Sequence, residues 1–534
     1  MPTTTTTTSA LHQARCGGTV ADLLLTAIGR FAERNAFAND EATLSYRQLG
    51  EAIGRIARHF DSLGLQPGDT VAQLGVNRWE VFAIAAAAYL RGLRSVTLHA
   101  LGSEADHAFI LSDCGARIAI VDAYHRARGE ALRGQCAGVQ AWFALGSIPG
   151  FTDLLPTLAA APLQGQPLQP LQPVGDAETV IRVAYTGGTT GRPKGVLLSN
   201  RALATNAVID LAAKDWPADI RYLCVAPISH GGGSLVLPTL MRGGCVTLVR
   251  GFATGSFIDA IQRFGCNVTW LVPTMLYTLL DSGRTHEVDW SRFHTLIYSA
   301  APASPARLRQ ALQLLGPVLL QSYGQTEAPN SLLILNRQDH VGLSDAQLAA
   351  AGRPSPLMQL RLLDDQGQEV PQGERGEICV RGPLLMSGYW QREAETADAL
   401  AGGWLHTGDI AYRGDDGLYY IVDRKKDLII SGGFNVYPKE VEDVLCTHPA
   451  VATAAVIGVP DDKWGELVLA CVQLKPGAEV DAEALMALVR AAKGAVATPK
   501  RVEFLPALPL TALGKIDKKA LRAHHWPAGD RAVY

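Results

Sequence analysis

The sequence predicts an α/β protein with a large N-terminal α/β domain of several subdomains and a small C-terminal α+β domain. Three observations predict it. Helical and strand-like runs alternate from residue 19 to about 125, and the alternation resumes after a Pro/Gln/Leu-rich segment at 162–175. From residue 428 onward a shorter α/β pattern runs to the end of the 534-residue chain, which is too long for one core. The expected units are a disordered Thr-rich tail (1–18), an N-terminal domain (19–422), a junction (423–427) and a C-terminal domain (428–534).

The tail, "MPTTTTTTSALHQARCGG", has no apolar run and is not a signal peptide. "VADLLLTAIGRFAER" and "YRQLGEAIGRIARHFDSLG" have helical composition, whereas "TVAQLGV", "RSVTLHA" and "ARIAIVDA" read as short strands. "VFAIAAAAYL" (81–90), bounded by Glu80 and Arg91, is too short to span a bilayer and reads as a buried helix. "PLQGQPLQPLQPVG" is an extended connector. Beyond it come "YLCVAPIS" (222–229), "NVTWLVP" (267–273), "TLIYSA" (295–300) and "VLLQSYG" (318–324), each running into a small or polar cluster. In a parallel sheet the carboxyl ends of the strands share one edge, where ligands usually bind. The last domain reads "DRKKDLIISGGFNVYPKEVEDVL", then "VATAAVIGVPDD", "LVLACVQL", "EALMALVRAAK" and "RVEFLPALP".

Composition narrows the function. Hydrophobic content of 48% and charged content of 19% fit a soluble enzyme, and a net charge of −3 argues against nucleic acid or an acidic membrane surface as partner. The nine cysteines are scattered without a C-x-x-C pair, as expected in a reducing cytoplasm and not of a disulfide framework or zinc site.

Residues 185–195 read "YTGGTTGRPKG". The preceding "TVIRVAY" is strand-like and "NRALATNAVIDLAAK" beyond is helical, so the loop is expected between a strand and a helix. Glycines allow close backbone approach, and Thr186, Thr189 and Thr190 with Arg192 and Lys194 add hydroxyls and charge, a set that suits a polyphosphate. Neither G-x-x-x-x-G-K-[ST] nor G-x-G-x-x-G is present in it.

With "SYGQTE", "WLHTGD", "DRKKDLIISGG" and "PLTALGKIDKKAL" following in order, the chain closely resembles the adenylate-forming (AMP-binding) superfamily, in its acyl-CoA synthetase branch. The resemblance covers nearly everything but the tail. It implies that Thr186, Gly187, Gly188, Thr189, Thr190, Gly191 and Lys194 wrap the ATP phosphates. Glu327 would be the carboxylate associated with Mg²⁺, with Thr326 near the α-phosphate. Tyr323 would stack on adenine beside Gly324, Gln321 would lie at its polar edge, and Ala300, Ala301 and Pro302 would wall it. Asp409 would accept the ribose hydroxyls, and Arg424 would hold the ribose from the junction. Lys515 would be the principal catalytic side chain, reaching the substrate carboxylate and the α-phosphate.

The resemblance also implies a mobile C-terminal domain that swings about Lys426 between the two half-reactions, with Gly432 and Gly433 lining the pantetheine path and Trp464 shaping the CoA side. His230 would gate carboxylate access and CoA approach. Ser229, Gly231, Gly232, Gly233, Thr274 and Ser299 would form the acyl pocket, the glycines leaving volume for a hydrophobic tail, with no arginine evident there. The expected reaction joins a small carboxylic acid to CoA at the expense of ATP. A fatty acid is the first reading, and an aryl acid or loading of a carrier protein are the alternatives. ATP and CoA are co-substrates and Mg²⁺ the cofactor. No nucleic acid or integral membrane association is expected, and the oligomeric state stays open, a homodimer included.

Overall fold

The computed structural model describes residues 18–159, 172–186, 193–461, 464–511 and 515–526. The expected tail, most of the connector and Gly187–Gly191 of the glycine-rich loop lie outside these residues.

Two large sheets build the N-terminal domain. In the nine-stranded sheet the order runs Arg353–Pro354, Ala328–Leu335, Leu319–Gln325, Thr295–Ser299, Val268–Leu271, Arg221–Cys224, Cys245–Leu248, Asn35–Ala38 and Thr43–Ser45. Its six central strands are parallel, from Leu319–Gln325 to Asn35–Ala38. In the eight-stranded sheet Thr70–Leu74 pairs in parallel with Arg94–Thr97 and Ala116–Asp122, and Arg94–Thr97 pairs in parallel with Val180–Thr186. These strands are nearly continuous apolar runs, as burial on both faces requires. The helices that cover them start on defined caps: Thr19 with Asp22 and Ser45 with Gln48 form reciprocal capping boxes.

Several expected strands stop early. "NVTWLVP" pairs only over Val268–Leu271, because Pro273 opens the helix Pro273–Asp281 at its first turn. "YLCVAPIS" pairs only over Arg221–Cys224, short of Pro227, which has no N–H to give a ladder. The glycine-rich loop is not a strand-to-helix link. Val180–Thr186 pairs antiparallel with Lys194–Ser199, so the loop is the mouth of a hairpin, and only then does the helix Asn200–Ala213 begin, capped by Ser199.

A four-stranded antiparallel sheet (Gln359–Leu363, Gly376–Arg381, Leu405–Arg413, Tyr419–Arg424) follows, unanticipated from sequence. Its last strand runs into the C-terminal domain, a five-stranded sheet whose centre is the long hairpin Val451–Asp461 with Gly465–Leu474. The helices Pro438–Leu445 and Ala482–Ala497 pack on it around Val441, Leu445, Leu485 and Val489.

Candidate active site

The candidate residues sit at several strand ends of the large domain and on one loop of the C-terminal domain. The strand Leu319–Gln325 turns back through Thr326 and Glu327 into Ala328–Leu335, and this turn presents the Glu327 carboxyl. Beside it, Thr295–Ser299 ends in Ala300 at φ +71°, a left-handed conformation that costs a non-glycine residue about 1–3 kcal/mol and clusters at functional sites. Gly324 packs on Asn330, where a Cβ would stand 2.6 Å from the backbone nitrogen. Gln321 accepts from the Tyr298 hydroxyl at 3.0 Å, and that hydroxyl lies 3.0 Å from His340 Nε2, so a buried Tyr–His pair absent from the sequence reading sets the Gln321 amide.

Asp409 is the hub of a polar cluster. It is 3% exposed, and its amide donates to Thr407 Oγ1, which itself donates to the Ile378 carbonyl at 2.7 Å. The Tyr323 hydroxyl donates to Oδ2 at 2.6 Å, and Arg424 Nε donates to Oδ1 at 2.8 Å from the register-paired position on the next strand. Burial, then the Asp409 charge, push the Tyr323 phenol far up, so it stays protonated as the donor. Asp409 raises the Arg424 pKa further, although half of that side chain faces solvent. Tyr323 therefore acts on Asp409 through its hydroxyl, a contact the resemblance did not imply.

Lys515 comes from the C-terminal domain. Its loop is closed by backbone pairing between Thr511 and Lys515 (2.7 Å) and by Lys515 N–H on Thr511 Oγ1 (3.2 Å). Burial pushes its pKa down to about 8; the Arg424 charge pushes in the same direction, Asp409 opposes and Lys426 adds to the lowering. The lysine thus lies within reach of the charges of Arg424 and Lys426 at the junction and of Asp409.

Glu327 is oriented by a residue missed in sequence. The Tyr389 hydroxyl donates to its Oε1 at 2.9 Å, and the Lys194 ammonium stands 5.7 Å from the Tyr389 ring centre while pairing with Glu395. Tyr389 gets there because Gly388–Tyr389 pairs with the strand that starts at Lys194. The "GYW" triplet was the available signal. Thr186 faces Lys194 across the mouth of the hairpin.

The residues expected to line an acyl pocket depart from expectation in two ways. Gly231–Gly233 do not leave open volume. A Cβ on Gly231 would collide with the Trp270 ring, on Gly232 with the Ala226 carbonyl and on Gly233 with the Ile228 carbonyl. Glycine is needed there because the loop folds onto its own strand. The Ser299 hydroxyl proton is already committed, since Oγ donates to the Ser322 carbonyl at 2.5 Å within the sheet. Ser229 Oγ lies 2.8 Å from His230 Nδ1. Burial, then His99 and Arg182, hold the His230 imidazole neutral at ordinary pH. Arg182 is the arginine the sequence did not reveal near this pocket, and its Nη2 donates to the Ser229 carbonyl at 2.6 Å. Thr274 is half-buried in the first turn of its helix.

On the C-terminal side, Gly432 and Gly433 adopt φ +58° and +82°, and the Gly432 amide donates to the Trp464 carbonyl at 2.7 Å. The Trp464 ring covers Gly432 and is 36% exposed. Lys426 lies in the single turn Lys425–Asp427. Around it the domains are pinned: the Arg375 guanidinium lies 4.1 Å from the Tyr437 ring centre and bonds Glu440 at 2.6 Å.

An Asp–Arg–Tyr cluster of the large domain thus lies within electrostatic reach of a lysine of the small one. The AMP-binding enzyme family matches residues 25–390, and the AMP-binding enzyme C-terminal domain matches 440–515. The chain is 42% identical to a medium/long-chain-fatty-acid–CoA ligase of Mycobacterium tuberculosis over 526 residues, covering 96% of this chain and 91% of that one. It is 38% identical to a feruloyl-CoA synthase of Amycolatopsis over 483 residues, covering 90% and 93%. The solved amide bond synthetase McbA from Marinactinospora thermotolerans superposes with a TM-score of 0.87 at 32% identity, over 95% of this chain and 99% of that one. The chain belongs to the AMP-binding enzyme family, the adenylate-forming superfamily. Within that superfamily it is an acid–thiol ligase.

Proposed function

We propose that the protein makes acyl-CoA from a hydrophobic fatty acid, ATP and CoA, releasing AMP and pyrophosphate. The observation that carries this reading is Lys515 of the small domain lodged beside the Asp409–Arg424 pair of the large one. In the first half-reaction a carboxylate oxygen of the acid attacks the α-phosphorus of ATP and pyrophosphate leaves. Lys515 stabilises the charge that builds on the α-phosphate while Tyr323, Asp409 and Arg424 hold the adenosine. In the second, the CoA sulfur attacks the acyl carbon, its proton is lost and AMP departs. The swing about Lys426 brings Gly432, Gly433 and Trp464 to the thiol path.

Glu327 fits a magnesium ion: it is a hard oxygen donor on a fixed turn, and Mg²⁺ binds typically through one or two carboxylates plus substrate phosphates. When bound, the ion would neutralise phosphate charge. Among the described residues all eight cysteines are unpaired, which supports a cytoplasmic location. No helix among them is long and apolar enough to cross a membrane.

A second reading, an aryl acid, is favoured by the Trp270 ring at the pocket wall and by the feruloyl-CoA synthase relative. The test is pyrophosphate release across short to long fatty acids, benzoates, cinnamates, dicarboxylates and amino acids, with and without CoA. Turnover that needs CoA on long alkyl acids is the expected result. Preference for cinnamates would replace the fatty acid by the aryl reading. Pyrophosphate release indifferent to CoA, with no acyl-CoA formed, would point to a carrier-protein thiol instead.

A further inference from the structure

The strand Arg94–Thr97 runs parallel to its neighbour Val180–Thr186 and delivers His99 just beyond its own end. The Ser229–Gly233 loop of the other sheet docks at this end. Thr97 Oγ1 donates to the Ser229 carbonyl at 3.2 Å, and Arg182 donates to the same oxygen. Across this seam the rings of His99 and His230 meet edge-on, with centroids 4.5 Å apart and planes at 73°.

The polar atoms of His99 can be assigned one by one. Its carbonyl accepts from His107 Nε2 and from the Gly102 amide, each at 2.8 Å. Its Nδ1 accepts from the Leu101 amide at 3.2 Å and so carries no proton. Burial, then the charge of His107, push the imidazole pKa down to about 4, so the ring is neutral and its one proton is on Nε2. That N–H is buried and has no partner among the described residues. Native proteins leave few buried donors unmatched, and each calls for an explanation. The ring that carries this N–H meets His230, on which the Arg182 charge also acts.

We propose that His99 is an acid-binding residue: its Nε2–H donates to the carboxylate of the acid substrate beside His230, on a wall made positive by Arg182. The proposal deepens the acid site described above and rests on that placement of the acid. It assigns a polar contact to a pocket otherwise read as apolar, and it selects for the anionic acid over its ester or amide.

The two amide side chains dissect the ring. His99→Asn places an acceptor where Nδ1 stood, for the Leu101 amide, and withdraws the donor. His99→Gln places an amide N–H where Nε2 stood. Michaelis constants for acid, ATP and CoA are measured on whichever acid the wild type turns over best. The loss of one hydrogen bond to a charged group should raise the acid KM about tenfold in His99→Asn, with ATP and CoA within about twofold, and His99→Gln should recover most of it. His99→Phe, which keeps the ring edge on His230 without the N–H, should behave as Asn does. An unchanged acid KM in Asn and Phe would overturn the proposal and leave an ordered water as the partner of Nε2. A rise confined to the CoA KM would overturn it too, by moving the donor to the thiol path. Either failure leaves the ligase reaction itself standing, because wild-type turnover is the reference.

Discussion

Asp409 and Arg424 face each other across two antiparallel strands, with Nε 2.8 Å from Oδ1, and the Tyr323 hydroxyl closes the other carboxylate oxygen at 2.6 Å. Both oxygens of the carboxylate proposed to bind the ribose are thus held in place by the protein itself. Asp409→Ala should raise the ATP KM at least about tenfold, and Tyr323→Phe, which removes one hydrogen bond, about two- to tenfold. Steady-state kinetics in ATP at saturating acid measures both. Equal, small effects would show that the carboxylate does not hold the ribose.

Lys515, pushed down to about 8, is charged at neutral pH and neutral above it. Because the cation is the active form, adenylation kcat/KM should fall as pH rises through about 8, the free-enzyme value that kcat/KM reports. Lys515→Arg, charged throughout, should flatten that limb at a lower rate. Lys515→Ala should lose about 10²–10³ of adenylation, the worth of one transition-state donor.

Restricting the junction should separate the half-reactions. Lys426→Pro fixes φ in the turn Lys425–Asp427 and should slow thioester formation more than pyrophosphate release. Arg375→Ala, which unpins Tyr437 and Glu440, should do the reverse by loosening the adenylating arrangement. Single-turnover measurements of each step decide between them, and equal losses in both steps would remove the hinge from Lys426.

Glu327→Gln keeps the side-chain shape and an acceptor for Tyr389 but loses the charge. The Mg²⁺ concentration for half-maximal adenylation should rise several-fold, and chelation of the metal should abolish activity in wild type and variant alike. An unshifted Mg²⁺ dependence would take the cation away from this carboxylate.

The pair Lys214–Asp210 is almost fully buried, with side-chain exposures of 1% and 0%, and Ser331 also donates to the Asp210 carboxylate. It ties the helix behind the phosphate hairpin to the strand that follows Glu327. Lys214→Met strands a buried charge and should cost about 3–5 kcal/mol in denaturant unfolding, while Lys214→Met with Asp210→Leu should cost less than the single variant.

Tyr323, Glu327 and Asp409 were legible as candidates because they sit in short motifs at or next to strand ends, and the structure joins Tyr323 to Asp409 directly. What stayed hidden depends on register between distant segments. Tyr389 reaches Glu327 only through pairing of Gly388–Tyr389 with Lys194–Ser199, and Arg182 reaches the Ser229 carbonyl only because two sheets meet edge to edge. The antiparallel sheet from 359 to 424 escaped notice for a related reason. It is a set of short hairpins, and "WLHTGD" stood out as a motif before it could be read as a strand. Composition also misled at Gly231–Gly233, where smallness serves packing and not volume.

That packing has an evolutionary reading. Three successive positions, Gly231 to Gly233, tolerate no side chain, because Trp270 and the carbonyls of Ala226 and Ile228 already fill the space one would need. Drift in substrate preference is barred from this loop. New acids have to be admitted by exchanging the surrounding walls, Trp270 above all, so directed evolution toward bulkier substrates should collect its mutations there and leave the glycines untouched.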